Sequence, residues 1–384
     1  MLPRLAELDC VEDIGVFSFY GIQGGYTKQL IGKGIPGVKP RWMDCFPLRA
    51  HLWGADVILD HAKFFNADLI ITLVDVWTME QQFWAGGYRW APWAPIDCEP
   101  IPEPMETRFK LACYPITYAK FARDALLEKG IENTYIPHGV ETSTFRPFSA
   151  RGRRESKKLI GFQPDNYVVG MVAANKGYPP RKAFPWIFEA FAEFVKKHPE
   201  ARLYMHSLAT AEMGGPDLLL MAKSYGISEF VRFSDPYYIW LGNAVFDQKM
   251  MNRIYNSFDV MLESTMGEGF GLPIIEAEAA GVPVIVGNNT SMPELIDGGR
   301  LGWLVENNTR FWIPHGSWQF IPSVEDIYRC LEESYVADRV ELGRQARRFV
   351  ERDYNWDVLV AEHWKPFLEQ VLEEITPRSY LRTA

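Results

Sequence analysis

Two acids bracket a glycine turn in the stretch MGEGFGLPIIEAEAAGVPVI, residues 266–285: Glu268 precedes Gly269-Phe270-Gly271-Leu272, and Glu276 follows inside an apolar segment. Pro273 suits the first turn of a helix, where its missing N–H costs no hydrogen bond, and Gly281 with Pro283 ends that helix early. The N–H groups at Gly269, Phe270, Gly271 and Leu272 then form a positive, donor-rich helix end that favours a phosphate or a developing anion. Eight positions along a helix amount to about 80° of rotation, so Glu268 and Glu276 are expected to face one cleft. A carboxylate beside a phosphate site finds its partners in neutral hydroxyls, from which it accepts hydrogen bonds. The ligand that combines both features is a phosphorylated polyol such as a nucleotide sugar. A tight turn with Glu276 and Glu278 merely solvated would explain the glycines but not Glu268.

A second group lies some ninety positions earlier. Lys176, Arg181 and Lys182 follow the apolar run VVGMVAA (168–174), at the end of a strand where ligands of open α/β sheets bind. Three cations there would neutralise a diphosphate and stabilise it as a leaving group without a metal. The competing reading is a solvated basic loop.

These residues need a parallel sheet to hold them. Short apolar runs at 14–20, 68–74, 168–174, 201–207, 259–264 and 282–287 alternate with helical-period segments such as 116–130 and 183–199. That is the βαβα pattern of α/β folds, with strands buried on both faces. The polar, basic stretch FRPFSARGRRESKKLIG (145–161) marks a seam, giving domains over 1–150 and 151–360, with 361–384 a helical segment crossing back to the first.

At 384 residues, 47% hydrophobic and 23% charged, the chain has the balance of a two-domain globular protein. A net charge of −9 disfavours nucleic acid and other polyanionic partners. Five scattered cysteines without a C-x-x-C pair, and no secretory or membrane-spanning run, point to the cytoplasm, with peripheral membrane contact left open. Thirteen tryptophans exceed ordinary usage, and the aromatic cluster between Trp77 and Trp93 reads either as packing under a loop or as a platform for a sugar ring. No Asp-x-Asp and no His/Cys cluster of ligand spacing occurs, so no metal and no cofactor is expected.

The signature around Glu268 and Glu276 closely resembles the E-x7-E motif of the retaining GT-B glycosyltransferases of family 4. YIPHGVETSTFRP (135–147), the strand–basic loop–helix–strand run over 168–207, YNSFDVMLES (255–264) and SMPELIDGGRLGWLVE (291–306) keep that family's order. The resemblance implies two Rossmann-like domains facing a central cleft, and transfer of a sugar from a nucleoside diphosphate sugar to an acceptor hydroxyl with retention. It also implies roles. Glu276 would bind the ribose, Glu268 the transferred sugar, and Lys176 with Lys182 the phosphates, although the family's usual arginine is absent at the former position. Gly269 to Leu272 would offer backbone N–H groups, and backbone near 231–235 would hold the base.

In YGIQGGYTKQL (20–30), Gly24 and Gly25 follow a strand, open a helix and let backbone approach a ligand closely, which the resemblance implies is the diphosphate; the rival dinucleotide fingerprint lacks the G-x-G-x-x-G spacing. His51, His61, Asp75 and Asp97 are the polar candidates for the acceptor side. Asp97, in the loop 94–102, could orient or deprotonate an acceptor hydroxyl. Other readings on the same fold are an epimerase or phosphorylase, an inactive nucleotide-sugar-binding module and, against the charge, a DNA-glycosylating enzyme.

Overall fold

The computed structural model describes residues 1–18, 25–79, 88–307 and 309–374. The chain divides into two compact units. The first comprises Met1–Pro95, Ile101–Pro137 and the C-terminal region from Trp356; the second comprises Ile96–Pro100 and His138–Asn355.

In the first unit β1 (Gly15–Phe17) pairs in parallel with β3 (Arg41–Phe46), whose other edge carries β2 (Thr27–Ile31) antiparallel. This corrects the helix expected after the glycines at 24–25. Thr27 and Ile31 are β-branched, and the segment has no apolar stripe of helical period, so it extends along β3 instead. Strands β4 (Ile70–Thr72), β5 (Trp90–Ala94), β6 (Ile116–Thr117) and β7 (Thr134–Tyr135) form a parallel sheet in that order. Trp90 and Trp93 lie in its core. Their indole N–H groups donate to Thr72 Oγ1 at 2.9 Å and to the Ile136 carbonyl at 2.7 Å, and Trp93 packs edge-on against Trp364. These two tryptophans are structural; residues 80–87 of the same aromatic cluster lie outside the described residues.

The second unit holds a six-stranded parallel sheet: β8 (Tyr167–Val172), β9 (Ala201–His206), β10 (Val231–Phe233), β11 (Val260–Glu263), β12 (Val284–Gly287) and β13 (Gly302–Val305), in the order β10-β9-β8-β11-β12-β13. Alternate residues of these strands, among them Val169, Met171, Leu203, Met205, Val260 and Leu262, join Phe184, Phe188, Phe191 and Phe194 of helix Phe184–Lys197 in one buried core. Strand order reverses between β8 and β11, the topological switch point at which α/β sheets bind ligands beyond the strand C-termini. A hairpin of β14 (Thr309–Ile313) and β15 (Ser317–Ile321) follows β13 and was not anticipated.

The basic stretch read as a seam is the helix Ala150–Leu159, capped by Ser149, whose side chain accepts from the Gly152 N–H. Its one buried cation explains its place in the second unit. Lys157 Nζ donates at 2.7 Å to both the Asn166 carbonyl and Asp259 Oδ2, and Asp259 Oδ2 also accepts from the Val168 N–H at the start of β8. The division of the chain therefore falls earlier than composition suggests, at Pro137–His138.

Candidate active site

The loops after β8 and β11 meet at the switch point. Lys182 Nζ lies 2.7 Å from Glu268 Oε1 and 3.1 Å from Glu263 Oε1, and Arg181 Nη1 lies 3.0 Å from the same Glu268 oxygen. The Arg181 guanidinium also donates to the Gly267 carbonyl and faces Asp97 Oδ2 at 3.7 Å. Backbone pairing of the Met266 N–H with the Arg181 carbonyl, at 2.9 Å, fixes the two loops to each other.

Charge and burial act in opposite directions on these groups. Burial pushes the Glu268 carboxyl up, but Arg181 and Lys182 outweigh it and bring it to about 2. Burial lowers Lys182, yet Glu268 and Glu263 outweigh it and the amine stays protonated. Glu263 is the loser: burial and the neighbouring Glu268 charge raise it to about 7 against the pull of Lys182, and its Oε2 has no hydrogen-bond partner among the described residues. At neutral pH the cluster thus keeps two cations and the Glu268 anion, with Glu263 pushed towards its neutral form. Glu263 was missed in the sequence because it reads as the last residue of an apolar strand; an acid at the C-terminal end of a switch-point strand was the available signal.

The glycine turn is built by the segment after β12. Thr290 Oγ1 accepts from the Glu268 N–H at 3.0 Å, and Ser291 Oγ lies 2.8 and 2.7 Å from the carbonyls of Glu268 and Phe270. Gly271 has φ +111°, and a side chain there would meet Ile274 Cδ1 at 2.7 Å, so both conformation and space require glycine. The N–H groups of Gly269, Gly271 and Leu272 have no acceptor among the described residues. Phe270 is buried, edge-on to His138 at 5.2 Å, and burial lowers the His138 imidazole to about 3, so this histidine is a neutral prop for the turn.

The helix begins only at Leu272. Glu268 therefore stands outside it, and the angular argument that placed it with Glu276 on one helical face fails. Glu276 is bound separately, its Oε2 accepting from the Tyr255 hydroxyl at 2.7 Å. Burial raises the Glu276 carboxyl to about 7, only partly offset by that hydrogen bond. Glu278 is not the solvated acid that the rival tight-turn reading would make it. It is fully buried, both carboxylate oxygens lack partners among the described residues, and burial raises its carboxyl well above the usual range.

A neutral buried acid is a stability cost, since the unfolded chain ionises above about pH 4 while the folded one does not. Glu278→Met should therefore stabilise the protein by about 1–3 kcal/mol in urea unfolding at pH 8. The gain should shrink towards pH 4, where both states of the wild type are protonated.

Other candidates fall elsewhere. Lys176 is exposed, its side chain has no partner among the described residues, and its backbone bridges to Gly214; it does not join Arg181 and Lys182. Gly24 lies outside the described residues. Gly25, with φ +125°, precedes a strand and not a helix, so it supplies no helix end for a phosphate. His51 Nδ1 accepts from the N–H groups of Trp53 and Ala55 in a turn, and His61 bonds the Pro47 carbonyl and packs on Phe17 and Phe46; both roles are structural. The Asp75 carbonyl accepts from the Thr78 N–H at the start of a 3-10 turn.

Comparison with known proteins agrees with this fold. The chain has the GT-B fold: it matches the sucrose-phosphate synthase of Thermosynechococcus elongatus with a TM-score of 0.66 at 16% identity, covering 86% of this chain and 84% of that one. HepE of Anabaena in complex with UDP matches with a TM-score of 0.59 at 15% identity, covering 86% of each. At such identities the likeness is one of fold. Residues 166–312, which include Arg181, Lys182, Glu263, Glu268 and Glu276, match the model of the family glycosyl transferases group 1. A D-inositol 3-phosphate glycosyltransferase of Catenulispora acidiphila is 32% identical over 176 residues, 44% of this chain and 37% of that protein. A GDP-mannose-dependent alpha-(1-6)-phosphatidylinositol monomannoside mannosyltransferase of Mycobacterium tuberculosis is 25% identical over 240 residues, 59% and 54% respectively. The chain thus spans about half or less of the curated relatives it matches.

Proposed function

We infer that this protein transfers a sugar from a nucleoside diphosphate sugar to an acceptor hydroxyl, with retention at the anomeric carbon and without a metal. The observation that carries the reading is the convergence of Arg181, Lys182 and Glu268 at the switch point, inside the segment that matches the group 1 family. Arg181 and Lys182 stabilise the departing diphosphate, the electrostatic role a metal would otherwise fill. Glu268, ionised at any physiological pH, accepts from hydroxyls of the transferred sugar, and the N–H groups of the 269–272 turn meet a phosphate or sugar oxygen. Glu276 binds the ribose hydroxyls. Lys176, exposed on the β8 loop, reaches the outer phosphate only as the donor binds.

Asp97 serves as a counter-charge that aims Arg181, in preference to acting as a base, because its carboxylate already faces the guanidinium. The acceptor is a hydroxyl of a glycan, a lipid-linked glycan or a small polyol; the two relatives named for inositol phosphate and phosphatidylinositol mannoside make a polyol the first class to try. No helix among the described residues is long and apolar enough to cross a membrane.

Proton NMR of the first-formed product should show the donor's anomeric configuration, at a rate unchanged by EDTA. An inverted product, or loss of transfer on chelation, would refute the corresponding half of the proposal. Donor cleavage without acceptor dependence would mark an epimerase or phosphorylase instead.

A further inference from the structure

Residues 96–100 come from the first half of the sequence but fold into the second unit. They run antiparallel to β15. The Glu99 N–H donates to the Trp318 carbonyl at 3.0 Å, the Trp318 N–H returns to the Glu99 carbonyl at 3.2 Å, and Ser317 Oγ donates to the Pro100 carbonyl. Next along β15, Gln319 Nε2 lies 3.4 Å from the Asp97 carbonyl and 3.3 Å from Asp97 Oδ2. The following residue closes the frame, since the Phe320 N–H donates to the Met266 carbonyl at 2.8 Å. A side chain at Gly267 would strike the Asp97 carbonyl at 2.2 Å, so the strap lies directly against the loop that carries Glu268.

Gln319 is itself buried, and a buried amide with two acceptors on one aspartate has a defined orientation. Asp97 Oδ2, the oxygen it approaches, is also the one that faces Arg181. The hairpin therefore controls a site cation through an intermediary. We propose that Gln319 is a positioning residue: by docking the 96–100 strap on β15 and orienting the Asp97 carboxylate, it aims the Arg181 guanidinium for a nucleoside diphosphate. The inference rests on the donor reading above for the ligand, but the docking itself does not.

Cys98, buried at 2% exposure in the strap beside Asp97, provides a ligand-free reporter, because a thiol reagent reaches it only when the strap lifts. In the full-length protein, Gln319→Ala should raise the rate of Cys98 alkylation by iodoacetamide, read by peptide mass spectrometry, about fivefold, the factor that one net hydrogen bond is worth. Calorimetric titration with UDP, GDP and ADP should show at least a tenfold loss of affinity for whichever nucleotide the wild type binds. Gln319→Glu supplies a readout that simple loosening would not move. Its carboxyl can donate to Asp97 only when protonated, so its affinity relative to wild type should recover as pH falls from 7.5 towards 5, while that of Gln319→Ala should not.

Unchanged Cys98 labelling in Gln319→Ala would overturn the docking. Undiminished nucleotide affinity in both variants would overturn the positioning role. Binding of none of the three nucleotides by the wild type, with Cys98 still responsive, would refute the donor reading and uphold the docking.

Discussion

Lys182→Ala should abolish donor-dependent transfer, with a fall of at least about a thousandfold in kcat/KM, and should also destabilise the protein. The activity loss follows from removing a fixed cation from the position where the leaving diphosphate gains charge; one preorganised electrostatic contact of this kind is worth about 10²–10³ in rate. The remainder comes from disorder in what Lys182 holds, since its amine bonds both Glu263 and Glu268. Without it, Glu263 and Glu268 confront one another beneath Arg181 alone. Breaking a buried ion pair by removing one partner costs about 3–5 kcal/mol, and protonation of Glu263 limits the damage by discharging one acid. Its carboxyl, already raised to about 7, should then titrate higher still. The stability deficit of Lys182→Ala should therefore widen as pH rises through 7 and beyond, because only there does Glu263 ionise beside Glu268. Urea unfolding at pH 6 and pH 8.5 measures it. A variant as active as wild type would remove Lys182 from the chemistry, whatever its stability.

Glu276→Ala has the second largest expected effect and a different signature. A carboxylate that accepts from two ribose hydroxyls makes charge-assisted hydrogen bonds worth about 1.5–3 kcal/mol each. Donor affinity should accordingly drop a hundredfold or more, with folding little changed. Ionisation sets the pH dependence. Burial holds the Glu276 carboxyl at about 7 in the free protein, and the neutral form donates one proton and accepts less. Wild-type donor affinity should thus fall as pH drops below about 7, and the Glu276→Ala variant should lack that dependence. Tyr255→Phe removes the hydroxyl that favours the ionised form, so it should shift the inflection to higher pH. Titration of a nucleoside diphosphate from pH 5.5 to 8.5 distinguishes the three proteins.

The sheet of the second unit was readable from the sequence because parallel strands buried on both faces announce themselves as apolar runs; 168–174, 201–207, 259–264 and 282–287 all became strands. The glycine turn itself was readable for a related reason. Glycines, a helix-opening proline and misplaced acids each have a local physical meaning. What escaped depends on pairing at a distance. Strand β2 was taken for the start of a helix because its strand character comes from lying along β3. The 150–159 helix looked like a linker because its single buried lysine is indistinguishable in sequence from its solvated neighbours. Glu263 was hidden inside an apolar run, and Gln319 inside an alternating hairpin whose other edge is supplied by residues more than two hundred positions earlier. The helical geometry assumed for Glu268 failed for a local reason, the positive φ at Gly271 that delays the helix to Leu272.

The central claim is that Arg181, Lys182, Glu268 and Glu276 form a donor site for a nucleoside diphosphate sugar. Thermal unfolding of the wild type, Lys182→Ala and Glu276→Ala against a panel of UDP-, GDP- and ADP-sugars tests it most directly, since a ligand at a hundred times its dissociation constant adds about 2.7 kcal/mol of stability. The account predicts a saturable upward shift for the wild type with at least one donor, and none for either variant at the same concentration. No shift for the wild type with any of them, or equal shifts in all three proteins, would contradict it.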